Sequence, residues 1–132
     1  MAELPTAYAA AMRIATALRE ADVDYAIGGA LALNLWGPAR GTRDVDVNLF
    51  VTDDRLDEVF AALHAAGVDV DPAQARQAAG REGMFIGRLD GMRIDLFVPS
   101  IDFSWEAAAT RVTVETASGP VDFLSAESLA VF

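Results

Sequence analysis

The chain has 132 residues, the length of one ordinary domain. It contains no Cys, one His (His64) and no Lys; all ten basic residues are Arg, set against twenty acids for a net charge of −10. These counts exclude disulfides, Cys nucleophiles, multi-His metal sites, Schiff-base chemistry and a phosphate-binding Lys. Carboxylates, hydroxyls, Arg and the backbone remain, a set suited to hard, oxygen-preferring cations.

The 53% apolar fraction rests largely on 26 Ala. No apolar run reaches the roughly 18 residues of a membrane span. Glu3, and Arg13 inside the first apolar stretch, argue against a signal peptide. The expectation is a soluble, cytoplasmic chain. Its charge is stepped: residues 1–43 carry four acids and four Arg, residues 44–132 sixteen acids and six Arg. That balance argues against a general nucleic-acid binder, which needs a basic footprint.

In chain order, Pro5 to Ala21 reads as a helix, with Tyr8, Met12, Ala15 and Leu18 at helical spacing. Asp24 to Ile27 is a short strand running into Gly28-Gly29. Ala30 to Trp36 resumes helical character and stops at Gly37-Pro38, and Arg40 to Arg43 is a loop. Asp44 to Val51 alternates, with Val45, Val47 and Leu49 on one face and Asp44, Asp46 and Asn48 on the other. Asp53 to Ala66 is an amphipathic helix ended by Gly67. Residues 69–83 read as a polar loop with at most a short helix. Met84 to Leu89 and Met92 to Val98 flank Asp90-Gly91, a strong hairpin signal. Asp102 to Thr110 is a short helix. Arg111 to Glu115 and Pro120 to Phe123 form a second hairpin about Ser118-Gly119, and Ser125 caps a last helix. The layout is α/β (α+β), a mixed sheet flanked by helices, in one domain over residues 1–132.

The chemistry concentrates in one stretch. A strand ending in Gly28-Gly29, followed at once by a helix, offers backbone N–H groups where a triphosphate could approach. Asp44 and Asp46 lie two apart on one strand face, about 6.5–7 Å along the backbone, and converging carboxylates can bridge two Mg²⁺ ions. Asp95 is the candidate third carboxylate, because an acid between Ile94 and Leu96 in an apolar strand needs a metal or an Arg partner. His64 reads as a surface residue, Trp36 and Trp105 as core or groove residues, and Arg76, Arg81 and Arg88 as solvated.

Gly28-Gly29, Asp44-Val45-Asp46 and the later Asp95 together resemble the DNA polymerase beta-type nucleotidyltransferase superfamily. The fuller string, Gly28 to Ala32, Trp36-Gly37, Arg40, Thr42 and Asp44 to Asp46, with Val121 to Ala130 near the end, resembles its abortive-infection and toxin–antitoxin branch. The resemblance implies a minimal nucleotidyltransferase fold. It implies that Asp44, Asp46 and Asp95 bind two Mg²⁺ ions and that Asp95 helps deprotonate the attacking hydroxyl. Gly28, Gly29, Arg40, Thr42 and Arg43 would contact the NTP. The chain stops at Phe132 within an expected helix, without the Lys-bearing helix and further helical region usual in that branch, which predicts a minimal or truncated domain.

The implied activity is Mg²⁺-dependent transfer of a nucleoside monophosphate to a hydroxyl. The first acceptor is a tRNA 3′ end, with a cognate antitoxin as partner. The second is a small hydroxylated, antibiotic-type molecule, which the acidic charge favours. A non-catalytic nucleotide- or antitoxin-binding module is the reading of another class.

Overall fold

In the computed structural model, residues 6–29, 31–32, 44–99 and 102–131 are described. Helix α1 (Thr6–Glu20) buries Ala7, Ala10, Ala11, Ile14, Ala15 and Leu18, a stripe at intervals of three and four. It ends in a Schellman turn: Val23 N–H donates to Leu18 O and Asp22 N–H to Arg19 O, with Asp22 left-handed at φ 59°. Strands β1 (Tyr25–Ile27) and β2 (Val45–Leu49) follow. A 3-10 turn at Asp53–Arg55 leads into α2 (Leu56–Ala65), which closes through Gly67 at φ 90°.

Helix α3 (Pro72–Glu82) occupies the segment expected to be a loop. Only Ala75 and Ala79 bury, so hydrophobic periodicity is nearly silent there. The helix forms on propensity and caps instead: four Ala between Asp71 and Gly83, the Asp71 carboxylate accepting from the N–H groups of Ala73 and Gln74, Pro72 in the first turn, and Gly83 left-handed at φ 74°.

The hairpin β3 (Met84–Leu89) and β4 (Met92–Phe97) turns on Asp90 and Gly91, both at positive φ, as a two-residue turn of this hand requires. Helix α4 (Asp102–Thr110) precedes the hairpin β5 (Val112–Thr116) and β6 (Gly119–Phe123). Its loop is Ala117-Ser118, one residue earlier than expected, because Thr116 pairs with Gly119. Thr116 Oγ1 accepts from Ser118 N–H and donates to Gly119 O, and these bonds fix that register. Helix α5 (Ala126–Val131) is capped by Ser125, whose Oγ accepts from Ser128 N–H at 3.1 Å.

Among the described residues the six strands form one mixed sheet, ordered β3-β4-β2-β1-β6-β5. The pairs β2–β4 and β1–β6 are parallel and the rest antiparallel. The main core joins α1, α2 and α3 to Val45, Val47, Ile94 and Leu96; Phe60 meets Phe85 edge-on at 5.6 Å. Ala26, Phe50, Ala107 and Leu124 form a second, smaller core against α4. Trp105 on α4 is 46% exposed, so it is not a core residue. His64 and Arg76 are on the surface as expected, although Arg76 also pairs with Asp57 and lies over the Phe60 ring. Among the described residues no helix is long and apolar enough to cross a membrane.

Candidate active site

The sheet register assembles the site. Antiparallel β1 and β2 pair Ile27 with Val47, so the chain leaving β1 runs past Asp46, and Gly28 N–H donates to Asp46 O at 2.9 Å. Parallel β2 and β4 pair Asp46 with Asp95. Register partners share a sheet face, and adjacent strands lie about 4.8 Å apart. The buried alternates Val45, Val47, Ile94 and Leu96 turn the other way, into the main core. Forty-eight residues of chain separate the two carboxylates, yet they are neighbours.

Gly29 is fixed by this geometry. It is left-handed at φ 59°, and a Cβ there would come within 2.1 Å of the Asp46 Oδ2. Gly28 is also tight, since a Cβ would lie 2.8 Å from the amide nitrogen of buried Asn48. The glycine pair therefore makes room for the polar face of β2. Gly28 N–H is engaged by the Asp46 carbonyl, and Gly28 O accepts the first helical bond from Ala32 N–H.

The electrostatics follow. Burial pushes the Asp46 carboxyl above its ordinary pKa; the like charges of Asp95 and then Asp44 push it further, and Arg93 opposes them. Arg93 lies two residues before Asp95 and donates from Nε to Asp95 Oδ1 at 2.7 Å. Asp95 thus has the Arg partner that its apolar flanks demanded. The i, i+2 alternation on β4, which puts Arg93 and Asp95 on one face, was the signal in the sequence for this pair.

Among the described residues no three metal-ligating side chains close around one point. Asp44, Asp46 and Asp95 nonetheless supply oxygen donors alone, and Asp46 carries a raised pKa caused partly by the other two. That donor set fits a hard divalent cation. Arg40, Thr42 and Arg43, together with Trp36 and the expected helix from Ala30 to Trp36, lie outside the described residues apart from Leu31 and Ala32. A concavity of about 870 Å³ between α1 and α2 is lined by neither Asp44, Asp46 nor Asp95, and half of its lining residues are Ala. The carboxylates that the sheet register brings together are the candidate site.

Several solved structures share this architecture. The solution structure of the antibiotic-resistance factor ANT(2'')-Ia aligns over 96% of this chain and 69% of its own, with a TM-score of 0.61 and 21% identity. The crystal structure of ANT(2'')-Ia in complex with adenylyl-2''-tobramycin aligns over 89% and 68%, with a TM-score of 0.57 and 22% identity. A putative nucleotidyltransferase from Thermotoga maritima aligns over 90% and 77%, with a TM-score of 0.61 and 16% identity. No curated protein sequence matches significantly. These similarities support the expected fold; they do not carry the toxin–antitoxin branch. The aminoglycoside-2''-adenylyltransferase family profile matches residues 10–127, which include every described site residue, and the chain belongs to that family of nucleotidyltransferases.

Proposed function

We propose that this chain transfers a nucleoside monophosphate, AMP in particular, from an NTP to a hydroxyl of a small, hydroxylated, cationic acceptor of the aminoglycoside kind. The carrying observation is the register of Asp46 with Asp95 beside Gly28 and Gly29. Family membership supports the adenylyl donor, and a net charge of −10 favours a cationic acceptor over RNA.

In this reading Asp44, Asp46 and Asp95 would hold Mg²⁺, as two ions. When bound there, the metal would supply positive charge to offset that of the α-phosphoryl group and the leaving pyrophosphate. Asp95 accepts the acceptor's hydroxyl proton as the oxygen–phosphorus bond forms and the α–β phosphoanhydride bond breaks. Because Gly28 N–H already serves Asp46 O, the β- and γ-phosphate contacts fall to Gly29 and the backbone after it. Arg40, Thr42 and Arg43 complete the phosphate contacts.

The test is incubation with Mg²⁺, each labelled NTP, and either tobramycin or total tRNA. Label is expected on tobramycin from ATP, and is expected to vanish with Asp46→Asn and Asp95→Asn. The second reading, a toxin acting on tRNA 3′ ends under a cognate antitoxin, rests on the Gly28 to Asp46 and Val121 to Ala130 strings. Label on tRNA with none on tobramycin would favour it. Nucleotide binding with no transfer at all would favour a non-catalytic module.

A further inference from the structure

The two edges of the sheet end differently. Beyond β3, Asp69 N–H donates to Arg88 O and Arg88 N–H to Asp69 O, so the segment before α3 covers part of that edge. Among the described residues no strand lies beyond β5. An open edge is a template for a further strand, and proteins blunt one with Pro, Lys, a bulge or a cover. Strand β5 contains neither Pro nor Lys, and its register with β6 runs one to one without a bulge.

The hydrogen-bonding phase of β5 follows from β6. Glu115 faces Pro120, which has no N–H to give. Thr113 faces Asp122, whose N–H goes to the Tyr25 hydroxyl instead. These are the non-bonded pairs of the hairpin, so the backbone N–H and C=O of Thr113 and Glu115 point outward from the sheet edge. Both residues are exposed, whereas Val112 and Val114, on the opposite face, are half-buried. Arg111, just before β5, shares the face of Thr113 because both reach the Asp122 carboxylate, Arg111 Nε at 3.2 Å and Thr113 Oγ1 at 2.6 Å.

A two-fold axis pairs such an edge with its own copy, antiparallel. A centre at Glu115 sets this carboxylate against itself, and a centre at Val114 sets it against Thr113. A centre at Thr113 sets Glu115 opposite Arg111, Val112 opposite Val114, and Thr113 opposite itself. Directly opposed unlike charges and β-branched pairs stabilise a strand pair, and the central Thr113 pair exchanges two backbone hydrogen bonds. We propose that the β5 edge binds a second copy of this chain, isologously about Thr113, and joins the two six-stranded sheets end to end. Charge complementarity selects this register: in a chain of net charge −10, it brings an Arg to Glu115. The dimer stands or falls independently of the proposed activity.

The test is sedimentation equilibrium of the full chain over about 1–200 μM, because an interface of this size is weak. A reversible monomer–dimer equilibrium is expected. Glu115→Arg is expected to raise the dimer Kd about tenfold, since two opposed pairs turn repulsive. Glu82→Arg, the same charge change on α3 at the far edge, should leave the Kd unchanged or lower it. A Kd unchanged or lowered by Glu115→Arg overturns the charge pairing. The chain has no Cys, so single Cys substitutions report the register. Thr113→Cys is expected to form an intermolecular disulfide under mild oxidation, because paired Cα atoms there lie about 5.5 Å apart. Glu115→Cys sits roughly 14 Å along the strand from its copy and should link far more slowly. Faster linking by Glu115→Cys overturns the register, and a parent chain monomeric throughout the range overturns the interface.

Discussion

Asp46 of β2 and Asp95 of β4 are register partners on parallel strands, two carboxylates on one sheet face with Arg93 bonded to the second. This arrangement has a measurable effect without any substrate. The Asp46 pKa is raised, by burial first and by Asp95 and Asp44 next. The folded protein then holds this proton more tightly than the unfolded chain, whose Asp titrates near about 4. The resulting stability is complete below that value and is lost as pH rises through the higher folded value. Asp46→Asn removes the ionisation. Without divalent cation its Tm is expected to exceed the parent's at pH 7 by a few degrees, with the two curves converging toward pH 4. Mg²⁺ should narrow the gap by stabilising the parent alone. Parallel pH–Tm curves would contradict the electrostatic account.

Two glycine substitutions should have opposite signs. Gly29→Ala puts a Cβ 2.1 Å from the Asp46 Oδ2 at a left-handed backbone position. Strain and overlap together are expected to cost at least ~2 kcal/mol, read by urea denaturation. Gly80 lies inside α3 with nothing within 4 Å of an added Cβ. Gly80→Ala is expected to stabilise by about 0.5–1 kcal/mol through helix propensity.

What the sequence disclosed divides along physical lines. Strong local patterns were legible: the apolar stripe of α1, the alternation from Val45 to Leu49, the Asp90-Gly91 turn and the Ser125 cap. Helix α3 was not, because it buries two methyl groups and shows no stripe; only Asp71-Pro72 and Gly83 marked it. The three candidate carboxylates were readable as residue types at a telling spacing. Their register was not, because β2 and β4 join across 48 residues, and no local pattern encodes a parallel pairing. The Gly29–Asp46 contact explains why a left-handed glycine accompanies the acidic strand.

Tyr25 ties the two halves of the sheet together. It is buried on β1, and its hydroxyl accepts from Asp122 N–H on β6 at 3.1 Å. Asp122 in turn accepts from Thr113 and pairs with Arg111, which gives it a structural role. Tyr25→Phe leaves a part-buried N–H without that acceptor. The expected loss is about 1–2 kcal/mol. Hydrogen exchange at the Asp122 amide should accelerate well beyond the change at other β6 amides; a uniform acceleration would mean a global effect only.

Arg93 separates a positioning role from a stabilising one. Its pair with Asp95 is exposed on the Arg side, at 45%, and the Asp95 side chain is 17% exposed. Such a pair contributes little to folding. Its reach is local: it fixes the Asp95 carboxylate through Nε and opposes the repulsion that raises the Asp46 pKa. Arg93→Ala is therefore expected to leave Tm within a degree or two, yet to lower kcat/KM for AMP transfer more than tenfold. Arg93→Lys should recover only part, because an ammonium restores the charge but not the planar Nε contact. Full recovery by Lys would reduce the role of Arg93 to charge alone. A fall in Tm matching the loss of activity would make it a structural pair and remove it from the site.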